Sequence, residues 1–292
     1  MSIILKSNQL TVVVSTKGAE LQSIQKTDTG AEYLWQGDPT YWNRKAPVLF
    51  PIVGRLKDNQ YTYKGQSYTM NQHGFARDAV FTVLEETENR VTLQFKANEE
   101  TKKAYPFDFS LCITYTVMED KVSVEYAVQN TNESEVLYFS IGGHPGFNVP
   151  LTEDTAFEDY YLSFLPRKSR KQIPLSGPFA DPAQTTLAQT NTTLRLSREL
   201  FENDALVFEV KEKNTFSILS DKTERSVSVM FENYPYVGIW SVPGKEAPFV
   251  CIEPWHGIAD TVDASGELED KLGIRSLPGK ETFTTSYTIQ LT

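Results

Sequence analysis

From Phe109 onward apolar side chains recur at every second position, as Phe109, Leu111, Ile113, Tyr115 and Val117, with Ser110, Cys112, Thr114 and Thr116 between them. After Glu119-Asp120 the alternation resumes through Val122, Val124, Tyr126 and Val128. A period of two sustained this long predicts two antiparallel strands, each with one buried face, joined by a tight turn. The same form appears at Phe81–Leu84 followed by Val91, Leu93 and Phe95, and at Tyr61–Tyr63 with Gln66–Tyr68. In the second of these Gly65 can supply the positive φ that a two-residue turn needs.

Further strands are expected at Leu10–Ser15, Tyr33–Trp35, Val136–Ser140, Tyr160–Phe164, Leu206–Val210, Phe216–Leu219, Val227–Phe231, Gly238–Trp240, Phe249–Ile252 and Thr282–Leu291. Helical signals are few: Glu99–Tyr105 ahead of Pro106, a short turn from Ser197 to Phe201, and Glu267–Leu272. Many short strands punctuated by turn residues predict an all-β sandwich or barrel rather than βαβ units. No linker, compositional break or internal repeat divides the chain, so residues 1–292 are expected to form one domain.

Composition narrows the partners. With 38 acidic against 28 basic residues the chain carries a net charge of −10, which argues against nucleic-acid binding. The longest apolar stretch, Ala46–Gly54, contains Pro47 and Pro51 and falls far short of a membrane-spanning helix. The start of the chain shows no basic segment followed by an apolar one, and the expected location is cytoplasmic. Cys112 and Cys251 each lie in a strand-like run without a CxxC partner, which predicts buried free thiols. The basic run Arg167–Lys171 after Pro166 reads as a solvated turn, with phosphate binding as the alternative.

Phosphate-loop, GxGxxG, HExxH and GxSxG signatures are all missing. Three histidines remain: His73 in NQHGFARD, His144 in IGGHPGFNVP and His256 in CIEPWHGIAD. Imidazole titrates near neutrality, and the glycines beside His73 and His144 suit close backbone approach. Glu253, in APFVCIEPW, is a carboxylate at the end of an apolar strand, where burial would raise its pKa toward that of a general base. Arg55 follows the apolar run APVLFPIVG, and Asp204 precedes a strand in LFENDALVFEV. Trp240, Trp255, Phe147 and Tyr138 flank these polar residues; rings beside hydroxyl-binding groups suit the mixed faces of a sugar. A cupin-like metal centre from His73, His144 and Glu253 lacks the usual H-x-H pair. Glycoside hydrolysis would use Asp204 and Glu253 as its two carboxylates.

Taken in order, the "GAEL" strand, an Arg after PIVG, the HG motif, a His followed by Pro-Gly-Phe-Asn, a central Asp and a late Glu in CIEPW resemble the aldose 1-epimerase (galactose mutarotase-like) family. The likeness runs from about Leu10 to Leu291 and is nearest to the divergent branch associated with bacterial lactose operons. It implies a large antiparallel β-sandwich with a broad concave face. It also implies an isomerase that interconverts the anomers of a sugar or sugar phosphate without metal or cofactor. By the same resemblance Glu253 is the base, held ionised, and His144 the acid, held protonated. His73, Arg55 and Asp204 would bind the sugar, and His256 has no counterpart. Departures from better-known members surround both histidines and Glu253. A non-catalytic sugar-binding or sensor protein that kept the same site is the alternative.

Overall fold

The computed structural model describes residues 1–292. Its longest hairpin is the one the alternation predicts. Phe109–Met118 and Lys121–Asn130 pair with Val117 opposite Val122, Tyr115 opposite Val124 and Ile113 opposite Tyr126. All of these are buried. Glu119 turns the chain at φ 50°. At the shorter hairpin Lys64 and Gly65 both take positive φ, the geometry that matches strand twist in a two-residue turn.

Two large antiparallel sheets face each other. The nine-stranded one runs, edge to edge, through Leu194–Arg195, Tyr160–Leu165, Lys213–Ser220, Val227–Glu232, Thr282–Leu291, Lys121–Asn130, Phe109–Met118, Arg90–Lys96 and Thr82–Glu86. The eight-stranded one runs through Thr186–Ala188, Arg170–Ile173, Leu206–Glu209, Tyr236–Trp240, Phe249–His256, Ile141–Gly143 and Val48–Leu49, with Gly146–Asn148 also paired to Phe249–His256. Their inner faces meet at contacts such as Phe164 on Phe208 and His256 on Phe283. The main core between them draws buried residues from Ile3 to Leu291. A three-stranded sheet of Ser2–Lys6, Leu10–Ser15 and Leu21–Lys26 adds to this core through Leu5, Leu10, Val12 and Val14. No helix is long and apolar enough to cross a membrane.

Several local expectations change. Tyr33–Trp35 is not a strand; Leu34 makes an isolated bridge to Phe147. Glu99–Ala104 is an α-helix closed by a capping box between Asn98 and Thr101, whereas Arg198–Phe201 and Leu268–Asp270 are single 3₁₀ turns. Ser197 makes no capping bond. Phe249–His256 runs four residues beyond the expected end, so Glu253 lies within the strand and not at its tip.

Candidate functional site

Phe249–His256 is buried at every position, and its alternation divides two environments. Val250 and Ile252 point into the main core. Phe249 and Cys251 join an aromatic cluster with Trp42 and Trp240, and Trp255 joins a cluster with Val53, Val207 and Ile258. Glu253 lies between those two clusters, on the outer face of the eight-stranded sheet. A hollow of about 470 Å³ opens there. Arg55, His73, His144, Asp204 and Glu253 all border it, together with Trp42, Gln72, Arg77, Trp240 and Trp255.

The neighbouring strands set the central pair. Gly142 is opposite Trp255 and Gly146 is opposite Cys251, so an unbroken register places His144 across from Glu253. His144 Nε2 lies 3.2 Å from Glu253 Oε2, without hydrogen-bond alignment. Neither carboxyl oxygen has another hydrogen-bond partner, and His144 Nδ1 has none. Glu253 is 1% exposed and His144 8%. Burial pushes the Glu253 carboxyl well above the ordinary range; the Asp204 charge adds to this, and the nearby Trp255 indole offsets a little of it. Burial holds the His144 imidazole down at about 3, with Arg77 and Arg44 acting the same way. The expectation of an ionised glutamate beside a protonated histidine is therefore corrected for the empty site. The uncharged forms are favoured there, and the proton rests on the carboxyl.

His73 stands edge-on to His144 with ring centroids 5.6 Å apart. The Gly54 N–H donates to His73 Nδ1 at 3.0 Å, which leaves the ring proton on Nε2; the Gln72 amide nitrogen 3.2 Å away is itself a donor and does not accept that proton. Burial, then the His144 ring and the charges of Arg77, Arg44 and Arg55, keep His73 well below its usual pKa. It stands as a neutral donor. The backbone is shaped to bring it in: His73 has φ 65°, and a Cβ at Gly54 would lie 2.5 Å from Ala259. Arg55 donates from Nε to Gln72 Oε1 at 3.1 Å, and its carbonyl accepts the Asp260 N–H at 2.9 Å. Asp260 is itself held by a buried ion pair to Lys271 at 3.0 Å. Asp204 sits in a left-handed turn at φ 71°; burial raises its pKa, with Trp240 and Arg55 opposing the rise.

Other flagged residues lie elsewhere. His256 points to the inner face, where Nε2 is 3.0 Å from Thr285 Oγ1 and Arg275 approaches Nδ1 at 3.4 Å. Phe147 is core, and Tyr138 packs against Tyr63 and Phe107. In the basic run, Arg170 is buried and donates to Thr190 and Asn214, while Lys168 and Lys171 make loose surface ion pairs. Sequence reasoning missed Trp42, which stacks on His144 at 4.8 Å, and also Gln72 and Arg77. Trp42 stands in a polar loop without alternation; Gln72 and Arg77 were visible only as neighbours of His73. Donor atoms of His144, Cys251 and Glu253 lie within 4.8 Å of one another, a set compact enough to share an ion. Burial, with the Glu253 charge adding, pushes the Cys251 thiol well up, so it stands there as a neutral thiol.

Two apposed antiparallel sheets with this hollow on the outer face of one define a galactose mutarotase-like fold. The aldose 1-epimerase family model matches residues 1–271. The chain belongs to that family. It is 35% identical over 299 residues to the plasmid-encoded protein LacX of Lactococcus lactis subsp. lactis, covering 100% of this chain and 99% of the relative. A solved galactose mutarotase related enzyme from Lactobacillus acidophilus is 41% identical with a TM-score of 0.98, covering 100% of this chain and 97% of that one. A galactose mutarotase-like protein from Lactobacillus casei is 32% identical with a TM-score of 0.91, covering both chains completely.

Proposed function

We propose that this protein is a cofactor-independent mutarotase that interconverts the α- and β-anomers of an aldose. The observation that supports it is the His144–Glu253 pair, 3.2 Å apart beside a hollow edged by indole rings. Ring opening needs a base for the anomeric O1–H proton and an acid for the ring oxygen. Glu253 as carboxylate takes the first proton; His144 as imidazolium gives one to O5. The C1–O5 bond breaks as the C1–O1 carbonyl forms. Rotation about C1–C2 and reversal of both transfers close the ring on the other face.

The pair holds a single proton before and after this step. The charge-separated form that starts the reaction differs from the neutral empty site only by a proton moved from Glu253 to His144. Hydrogen bonds from sugar hydroxyls to the carboxylate would favour that form, as would Arg55 near Asp204. His73, a neutral donor, and Trp240 and Trp255, apolar faces, would orient the ring. Positioned acid–base groups each contribute roughly 10²–10⁴-fold in rate.

The test is anomer exchange of freshly dissolved sugars by polarimetry or NMR, comparing buffer, wild type and Glu253→Gln. The proposal expects acceleration by wild type and its loss in the isosteric variant. Equal rates in all three would leave a sugar-binding protein and remove the enzyme.

A further inference from the structure

Four aromatic rings form a column that ends on His144. Trp35 stacks on Phe249 with ring centroids 4.7 Å apart, Phe249 on Trp42 at 5.5 Å, and Trp42 on His144 at 4.8 Å. Successive ring planes differ by 30° or less. Trp240 stands edge-to-face to both Trp42 and His144, at 5.5 Å from each. Trp42 also borders the hollow, and its backbone is fixed at both polar groups. Its N–H donates to the Asp38 carbonyl at 2.9 Å, and its carbonyl accepts from Trp35 Nε1 at 2.9 Å. Gly146 clears the space for the ring. It does not take positive φ, so the backbone there does not require glycine, yet a Cβ would lie 3.2 Å from the Trp42 ring.

We propose that Trp42 is a positioning residue for the acid: the face of its indole holds the His144 ring and stabilises it as imidazolium during ring opening. This rests on the reading of His144 as the acid of a mutarotase. The face of an aromatic ring carries the negative part of its quadrupole, and indole is the strongest of the natural rings in this respect. A neutral imidazole gains little from that charge and an imidazolium gains more, so the contact strengthens as the proton reaches His144. Only an interaction that grows toward the transition state raises kcat. The charges nearby divide: the Glu253 carboxylate at 3.2 Å favours the imidazolium, whereas Arg77 and Arg44 oppose it. Burial of His144 opposes it as well, and a desolvated site is where a cation–π contact is strongest. A saturated side chain in place of Trp42 would still keep water from the imidazole but would present no negative face to it.

The experiment follows anomer exchange of glucose and galactose by NMR in the full-length protein. It carries tryptophan, 5-fluoro-, 5,7-difluoro- or 5,6,7-trifluorotryptophan at position 42 alone, inserted through a suppressor tRNA. Each fluorine draws charge off the ring face with little change of shape. The kcat is expected to fall by a similar factor at each step, reaching about tenfold below wild type with all fluorines in place, while KM stays within about twofold. Trp42→Phe should keep more of kcat than Trp42→Leu by about fivefold, both verified as folded by their melting curves. A kcat that does not respond to fluorination overturns the proposal, and so does a folded Trp42→Leu as active as Trp42→Phe. A KM that falls with fluorination while kcat holds also overturns it, because that marks the indole N–H as a donor to the sugar. No acceleration by wild type removes the mutarotase reading and this role together; acceleration indifferent to the fluorines removes this role alone. The fluorinated series decides the matter even if Trp42→Leu fails to fold.

Discussion

His144, in the gap between Ile141–Gly143 and Gly146–Asn148, faces Glu253, and their nearest atoms, Nε2 and Oε2, are 3.2 Å apart. Cross-strand neighbours on one face are held at a spacing set by the backbone ladder itself. The pair is thus held by ladder pairing on either side of His144 and by the strand that carries Glu253. His73 and Asp204, in contrast, reach the hollow from turns in which both take positive φ. A proton exchanged between two rigidly held groups, with no other hydrogen-bond partner for either carboxyl oxygen, has one short path.

The shared proton predicts the shape of the pH profile. Adding a second proton to the pair means charging His144, which burial opposes down to about 3. Removing the one proton means ionising Glu253 with no compensating imidazolium, and burial opposes that too. With a neutral aldose as substrate, wild-type kcat/KM should therefore show no acid limb on descending from neutrality to about pH 5, since burial holds His144 down at about 3. In His144→Gln the carboxyl stands alone and must ionise to act, so a rate reduced by roughly 10²–10⁴-fold should climb with pH. A flat profile in the variant would show that the two groups titrate independently.

His256 offers a stability measurement free of the reacting pair. Burial, with Arg275 adding, lowers its folded pKa to about 3 from an ordinary value of 6.5. Between these values the unfolded chain binds a proton that the folded protein refuses, so stability falls as pH falls through that window. Relative to His256→Gln, wild type should lose about 1.4 kcal/mol per pH unit between roughly pH 6 and 4. Urea midpoints at several pH values read this directly; parallel curves for the two proteins would contradict it.

The nine-stranded sheet was legible because its strands present one face to the core, and Phe109–Val128 alternate accordingly. The eight-stranded sheet was harder. Ile141–Gly143 and Gly146–Asn148 are three residues each and glycine-rich, and Phe249–His256 is buried on both faces, so neither shows a period of two. Glu253 and Arg55 were visible as charges at apolar runs, His73 and His144 by their glycine neighbours and Asp204 before a strand, while their roles came from the ordered resemblance. Sequence could not show that burial would leave Glu253 and His144 uncharged, because that depends on how deeply the sheet encloses them. Trp42 escaped notice for a related reason: it joins the hollow only when distant segments fold together, which no local pattern encodes.

The wall that carries Arg55 depends on a buried charge. Lys271 Nζ donates to Asp260 at 3.0 Å and to the Ile258 carbonyl at 2.7 Å, and Asp260 also accepts the Lys57 N–H. Removing one partner leaves the other charge buried and unpaired. Asp260→Ala is expected to cost about 3–5 kcal/mol. Losing the carboxylate that accepts the Lys57 N–H, two residues after Arg55, should also raise KM more than it lowers kcat, since this segment carries Arg55 and not the reacting pair. Denaturant unfolding and steady-state exchange kinetics test the two halves separately.

Trp255 occupies a slot that two glycines leave open. A Cβ at Gly238 would meet the indole ring at 2.3 Å, and one at Gly142 would meet it at 2.6 Å. Gly238 also pairs with Glu253, so the ring is displaced there next to the carboxyl it flanks. Gly238→Ala should push Trp255 toward the hollow at a cost of about 1–3 kcal/mol from overpacking. KM should rise several-fold, and tryptophan fluorescence should shift as the ring becomes wetter. The colliding atoms belong to the six-membered half of the indole, which phenylalanine lacks. Trp255→Phe added to Gly238→Ala should therefore recover stability, giving a coupling energy of opposite sign to the single losses. Additive losses in that cycle would mean the strand itself, and not the ring, suffers from the new methyl group.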